Sequence, residues 1–291
     1  MTHRVVTTGY ASADYPALVA ALPQPDSTVY IERRLTKWWP AFGGCGALVA
    51  RWLAAQGISA HTVTWVGDDD LGRRYVDRLE RSGVGISGVV VSPGGRTSTS
   101  HLYYVKTGEA VNFFDESGTV RDEATEAQIE LARSADWLCL TAAPSGVNRA
   151  LLEAAGPDTR VSWVVKADAT CFPPDVVRQM LARSTLVTFS RGERSFLREM
   201  TGQDQPLELL QADAVAVETH GRDGVRLFTA EGERFLPVDP VDIEDATGAG
   251  DVFHAGMIAH MILRSTNPLP ATNAGIAAAR EFLLDASWRS M

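Results

Sequence analysis

Asp251 follows the turn Gly248-Ala249-Gly250 and leads into an apolar run from Val252 to Leu263. Glycines at 248 and 250 let the backbone turn tightly and approach a ligand with no Cβ in the way. The free N–H groups at the start of the following helix would face that ligand, and the helix dipole favours negative charge there. A carboxylate at this junction is placed to receive a proton from an attacking hydroxyl. Phosphoryl transfer is the chemistry that such a set suits. An acid in this position also serves as a plain helix cap, so the motif needs support from the remainder of the chain.

The elements around this turn alternate between strands and helices. Apolar runs predict strands at Val5–Thr8, Thr62–Val66, Trp137–Leu140, Val161–Val165, Leu186–Phe189, Ala214–Val217 and Val225–Thr229. Helices are predicted near Ala47–Gln56, Arg73–Arg81, Glu123–Ser134, Val147–Ala155, Asp175–Ala182 and Glu193–Met200. Several strands are apolar throughout, as when helices cover both sheet faces. The expected fold is therefore α/β, a mostly parallel, doubly wound sheet with ligands beyond the carboxyl ends of its strands. Tyr10–Pro40 is irregular and proline-rich, with strand character only at Thr28–Glu32, and Ser98–Val105 is rich in Thr, Tyr and Val. Together they suggest a small β lid built from roughly residues 11–40 and 96–115, within one domain spanning 1–291.

Composition narrows the function classes. The chain has 291 residues, 45% hydrophobic and 22% charged, with a formal net charge of −9. No basic surface for nucleic acid is expected from that balance. Three scattered cysteines suggest neither a disulfide framework nor a metal site. The six histidines show no paired ligand spacing, and His254 and His260 on an apolar helix read as packed residues. The start lacks a signal-peptide core, and the most apolar segment is too short and polar to span a bilayer, so a cytoplasmic protein with no membrane partner is expected.

Other stretches carry competing readings. Gly44-x-Gly46-x-x-Val49 faintly matches a dinucleotide fingerprint, but Pro40 precedes it where a buried strand is required. Thr219-His220-Gly221-Arg222-Asp223-Gly224 follows a strand and by itself reads as a polar connection. Trp38 and Trp39 would stack on a substrate ring or serve a lid or subunit contact.

Taken together, these stretches resemble the ribokinase-like, or PfkB, family of carbohydrate kinases. Asp245-Ala246-Thr247-Gly248-Ala249-Gly250-Asp251 is similar to that family's C-terminal signature D-T-x-G-A-G-D. Phe42-Gly43-Gly44-Cys45-Gly46-Ala47-Leu48-Val49-Ala50 and Val66-Gly67-Asp68-Asp69-Asp70-Leu71-Gly72 resemble two further recurrent segments, in the right order. The resemblance implies an ATP-dependent kinase acting on a hydroxymethyl group of a sugar or sugar-like molecule. Asp251 would be the general base, and the N–H groups of Gly248, Ala249 and Gly250 the anion hole. Asp14 would bind substrate hydroxyls, with Gly43 and Gly44 admitting the sugar. Thr219, Gly221 and Gly224 would lie under the nucleotide, and Glu193 would act on Mg2+ through water. A homodimer through the lid is a further implication.

Several positions depart from that pattern. Leu48 and Ser190 stand where asparagines are usual, and Gly108-Glu109-Ala110 lacks the arginine common in the lid. Asp245 matches a cation-binding residue, but the tail Leu283–Trp288 lacks its glycine-containing partner, which speaks against a monovalent cation such as potassium. An unusual substrate is expected. A nucleoside kinase of the same fold and a catalytically impaired ligand-binding relative are the alternatives.

Overall fold

The structure is a computed structural model of the chain; it describes all residues except 1–2, 37–38, 107–109, 244, 286–287 and 289–291. Its elements in chain order are β1 (Arg4–Thr8), β2 (Ser12–Val19), β3 (Ile31–Arg34), β4 (Ala41–Gly43), α1 (Cys45–Ala55), β5 (Ser59–Gly67), α2 (Asp70–Arg81), β6 (Gly85–Ser92), β7 (Thr99–Tyr104) and β8 (Ala110–Asp115). There follow α3 (Glu126–Arg133), β9 (Trp137–Leu140), α4 (Ser145–Ala154), β10 (Arg160–Val164), α5 (Pro174–Arg183), β11 (Ser184–Ser190) and α6 (Arg191–Thr201). The chain closes with β12 (Val215–Thr219), β13 (Val225–Thr229), β14 (Gly232–Leu236), α7 (Ala249–Leu263) and α8 (Pro268–Leu284).

Nine strands form the main sheet in the order β14-β13-β12-β11-β10-β9-β1-β5-β6. From β6 to β12 all pairings are parallel, and β13 and β14 add an antiparallel edge. Alternate residues of each parallel strand enter opposite cores. Val5, Trp137 and Leu186 join the core under α1, α2, α7 and α8, while Val6, Leu138 and Val187 join the one under α3 to α6. Both sheet faces are thus covered, which is why these strands are apolar at successive positions. From β1 the chain moves outward through β5 and β6, then returns to β9 on β1's other side. Strand order reverses between β1 and β9, opening a crevice at the strands' carboxyl ends.

The second sheet, β3-β2-β7-β8 with β4 also paired to β2, lies over that crevice. Its strand β2 was not expected, because Pro16 sits in its middle. The register explains the tolerance. β4 pairs with Ser12–Asp14 and β3 with Ala17–Val19, so Pro16 falls in the gap between the two partners. Its carbonyl accepts from Leu35 N–H on that side, and no ladder bond there requires the missing donor. The predicted strand at Thr28–Glu32 begins instead at Ile31, after a turn at Gln24–Ser27.

Two helices meet at the crevice and are built by close glycine contacts. α7 crosses α8 where a Cβ on Gly256 would lie 2.5 Å from Ala278 Cβ, and one on Gly275 would lie 2.8 Å from Phe253 O. α8 was not anticipated, since Pro268 and Pro270 interrupt its start; Pro268 occupies the first turn, where its lacking N–H is harmless. α1 is seated directly on the end of β1: Thr7 Oγ1 donates to Gly46 O at 2.8 Å. A Cβ on Gly46 would come within 2.2 Å of Thr8 O. Among the described residues no helix is long and apolar enough to cross a membrane.

This seating gives a stability prediction. Gly46→Ala should lower unfolding stability by about 1–3 kcal/mol, because backbone rather than a flexible side chain must move. A urea midpoint unchanged by the substitution would contradict the packing.

Candidate functional site

A cavity of about 560 Å³ lies between the lid and the strand ends. The lid contributes alternate residues of its strands: Ser12, Asp14 and Pro16 of β2, Ser100 and Leu102 of β7, and Asn112 and Phe114 of β8. Such a period of two is that of one pleated face. The floor comes from loops after parallel strands and from the first turns of α1 and α7. Tyr10 follows β1, Ala142 follows β9, and Lys166 and Asp168 follow β10.

The turn ahead of α7 is held locally. Asp245 accepts from Thr247 N–H at 2.9 Å, and Ala249 N–H bonds back to Ala246 O at 3.0 Å. Gly248 is left-handed at φ 87°, and a Cβ there would meet Leu48 and Phe282. Neither α7 nor α1 has a side-chain N-cap. The N–H groups of Gly248, Gly250 and Asp251 have no backbone partner among the described residues. A Cβ on Gly250 would meet nothing within 4 Å, and its φ is not positive. The protein therefore has no packing reason for glycine at 250, which is exposed on the first turn of α7.

Asp251 is only 5% exposed, and its Oδ1 is buried with no hydrogen-bond partner. Lys166 Nζ stands 3.4 Å from that oxygen and is held protonated far above its usual range, chiefly by Asp251's charge. The Cys45 thiol also faces Asp251 and is pushed up to about 12 by burial and by that charge. Across the cavity, Asp14 accepts a short hydrogen bond from the Ser12 hydroxyl. Burial raises its carboxyl to about 7; the Ser12 bond opposes the shift and the Asp245 charge adds to it. The lid strand β7 touches the α7 turn through a short Tyr104–Thr247 hydroxyl contact.

Five of the sequence-predicted residues thus line one cavity: Asp14, Gly43, Gly44, Gly248 and Asp251. The space beside the paired glycines is taken by protein. A Cβ on Gly43 would overlap Asp14 Oδ2 at 1.9 Å, and one on Gly44 would lie 2.3 Å from Tyr10 O. Thr219, Gly221, Gly224 and Glu193 form a second group at the neighbouring carboxyl ends of β11 and β12. Gly221 has a positive φ and open space at its Cβ position, whereas Gly224 packs on Leu236 O. Glu193 is in a capping box: Oε2 accepts from Ser190 N–H at 2.6 Å while Ser190 Oγ accepts from Glu193 N–H. Its charge still reaches Lys166, which links the two groups.

Trp39 packs on Tyr15 under Arg34 and not in the cavity, so it does not stack on a substrate there. Trp38, Gly108 and Glu109 lie outside the described residues, and Ala110 opens β8. The tail Leu283–Trp288, named against a cation site, is likewise described only in part. The cavity's aromatic walls are instead Tyr10 and Phe114, 5.3 Å apart at their centroids, with Phe42, Phe282 and Trp288. Lys166 and Arg51 were missed. A lysine just past a buried parallel strand had a usable signal, since ligands bind at those ends.

A nucleotide and Mg2+ fit these residues in part. Uncapped helix N–H groups and the open backbone at Gly221 and Gly250 suit phosphates. No group of three or more His, Cys, Asp or Glu among the described residues could hold a metal. Mg2+ held by phosphates and a single acid through water needs no such cluster.

The family model described as "pfkB family carbohydrate kinase" matches residues 2–279. The chain is similar to an ATP-dependent ribose-1-phosphate kinase of Halopiger xanaduensis, at 27% identity over 88% of this chain and 84% of that protein. It is also similar to fructokinase-2 of Oryza sativa subsp. japonica, at 25% identity over 88% and 79% of the two chains. Among solved structures it resembles a ribokinase of Cryptococcus neoformans var. grubii in complex with ADP, with TM-score 0.82, 17% identity and coverage of 100% and 97%. A nucleoside kinase of Methanocaldococcus jannaschii gives TM-score 0.79 at 17% identity, covering 97% and 92%. The fold is therefore ribokinase-like, and the chain belongs to the pfkB family of carbohydrate kinases.

Proposed function

We propose that this kinase transfers the γ-phosphoryl group of ATP to a hydroxymethyl group of a sugar or sugar-like molecule, with Asp251 as general base. One observation carries the reading: the Asp251 carboxylate lines the cavity beside uncapped helix N–H groups, with Lys166 and Cys45 against it. A substrate hydroxyl in the cavity would donate to this carboxylate. Bound ATP provides the phosphoryl group, and Mg2+ offsets its charge. As the substrate oxygen bonds to phosphorus, the bond from phosphorus to the bridging oxygen breaks, ADP leaves and the hydroxyl proton passes to Asp251.

The other residues position and stabilise. The N–H groups of Gly248, Gly250 and Asp251 receive charge developing on the transferred group, while Ala249 N–H holds the turn closed. Asp14 accepts from neighbouring substrate hydroxyls. Lys166 lies within reach of both the base and the arriving phosphoryl charge. Thr219, Gly221 and Gly224 would carry the nucleotide, and Glu193 would act on Mg2+ through a bound water. The lid excludes water from the reacting centre. A cytoplasmic location belongs to the same reading, as does a homodimer through the lid's outward face, where Tyr15, His101, Tyr103 and Phe113 form an aromatic strip. A nucleoside substrate is the second reading, favoured by the Tyr10–Phe114 pair that joins lid to main domain. ADP release across a panel of sugars and nucleosides separates the two; release with none would sink both.

Asp251→Asn should fold normally and lose about 10²–10⁴-fold in kcat, measured by ADP release at saturating substrate. Retained turnover would assign the base elsewhere. Gly250→Ala should melt at the wild-type temperature yet lose more than about tenfold in kcat/KM, since its Cβ would enter ligand space only. A matched loss of stability would instead mean a structural glycine.

Asp14 gives a pH prediction. Its folded pKa of about 7 exceeds the ordinary carboxyl value of 3.8, so the folded state retains a proton that the unfolded chain releases. Ligand-free stability should therefore fall as pH rises between these two values and level off above them. Because only the carboxylate accepts from two hydroxyls, kcat/KM should rise over the upper part of that range. Asp14→Asn should remove both slopes; melts and rates across pH check it, and unchanged slopes would contradict the assignment.

A further inference from the structure

Two guanidinium groups beside the cavity have no carboxylate partner among the described residues. Arg51 is on α1, 5% exposed, and lines the cavity. Its Nε donates to Ser82 Oγ at 3.3 Å, and its guanidinium sits 5.6 Å from the Trp288 ring centre. One neutral acceptor and one ring face leave most of its donors unused. Arg78 on α2 stands behind it, with Nε and Nη2 both buried and unbonded. A narrow recess of about 10 Å³ between them shares Phe42, Gly43, Leu48 and Arg51 with the cavity wall.

This arrangement is costly without a ligand. Burial and the neighbouring Arg51 charge pull Arg78 down to about 9, and burial lowers Arg51 too. Buried cations are normally paired, because an unpaired charge in a dry site is strongly unfavourable. Of the cavity's acids, Asp14 comes against Gly43 beside the recess, but it is bonded to Ser12 and to neither arginine. Tyr75, whose hydroxyl donates to Gly43 O, feels Asp14 as well as Arg51 and Arg78. Arg51 is six residues along α1 from Cys45, which faces Asp251; that helical rise is about 9 Å. The span suits a sugar with its reacting hydroxyl at Asp251 and a charged group at its far end. Leu48, lining the wall between, offers no polar competition.

Resting on the kinase reading above, we propose that Arg51, backed by Arg78, binds an anionic group of the substrate. The substrate is then a sugar derivative carrying a phosphomonoester or a carboxylate, and not a neutral sugar. Arg51 forms the direct charge-assisted hydrogen bonds. Arg78 adds positive field and holds Arg51 against the cavity by repulsion.

The test pairs neutral sugars with their phosphomonoesters and their acids in ADP-release assays, using wild type, Arg51→Met, Arg51→Lys and Arg78→Met. Wild type should prefer one anionic class, and which class it prefers separates phosphate from carboxylate. Arg51→Met should raise KM for that substrate about 10- to 150-fold, the scale of a charge-assisted hydrogen bond, and Arg51→Lys should recover part of the loss. Arg78→Met should raise KM less. Inorganic phosphate and acetate are added separately in thermal melts, with a non-transferable ATP analogue already filling the phosphate-binding turn at Gly248–Asp251. One of them should stabilise wild type and not Arg51→Met, whose own melting temperature should be equal or higher. Preference for neutral sugars, or an anion-induced shift that survives in Arg51→Met, would overturn the proposal while leaving the kinase reading intact. No ADP release with any substrate would sink the kinase reading instead, and the melts would still decide whether Arg51 binds an anion.

Discussion

The site depends on keeping one carboxylate, Asp251, dry and incompletely bonded at the start of a buried helix. A carboxylate in that state is costly, and the fold holds it there by making α7 apolar nearly all round. From Asp251 to Ala259 every residue of α7 is buried, against α1, α8 and the sheet. The helix cannot shift to bring its first turn to water. Its glycine contacts with α8 and the left-handed Gly248 fix where that turn lies. Lys166, 3.4 Å from Asp251 Oδ1, supplies the charge balance.

Around that constraint the cavity is polarised. Two uncapped helix starts, α1 and α7, converge on its floor and favour negative charge from a ligand. Asp14 sits opposite with a carboxyl that is neutral below about 7, which limits repulsion between it and Asp245 until a substrate enters. Gly43 is required first by Asp14 itself, whose carboxylate fills the space a side chain would need. The lid is tied to the turn ahead of α7 through Tyr104 and Thr247, so lid position and turn geometry are mechanically coupled.

What could be read from the chain alone followed a physical pattern. Gly248–Asp251 was legible because tight turning, ligand approach and a helix start each restrict residue type locally. The parallel strands were legible because burial on both faces leaves continuous apolar runs. Strand β2 was not, since Pro16 is tolerated only through a gap between two partners that are distant in sequence. Helix α8 was hidden by prolines at its permitted first turn. Arg51 and the Tyr10–Phe114 pair carry no spacing signal, because each acquires meaning only from what the fold brings beside it. Ala249 stood within the anion-hole motif, yet its N–H is spent inside the turn, a distinction that backbone geometry alone makes.

The most direct measurement is a crystal structure with the phosphate-accepting substrate and a non-transferable ATP analogue bound. The account predicts the reacting hydroxyl oxygen at hydrogen-bond distance, about 2.6–3.2 Å, from the Asp251 carboxylate, with terminal phosphate oxygens on the N–H groups of Gly248 and Gly250. A hydroxyl bonded to another acid, with Asp251 still facing only Lys166 and Cys45, would contradict it.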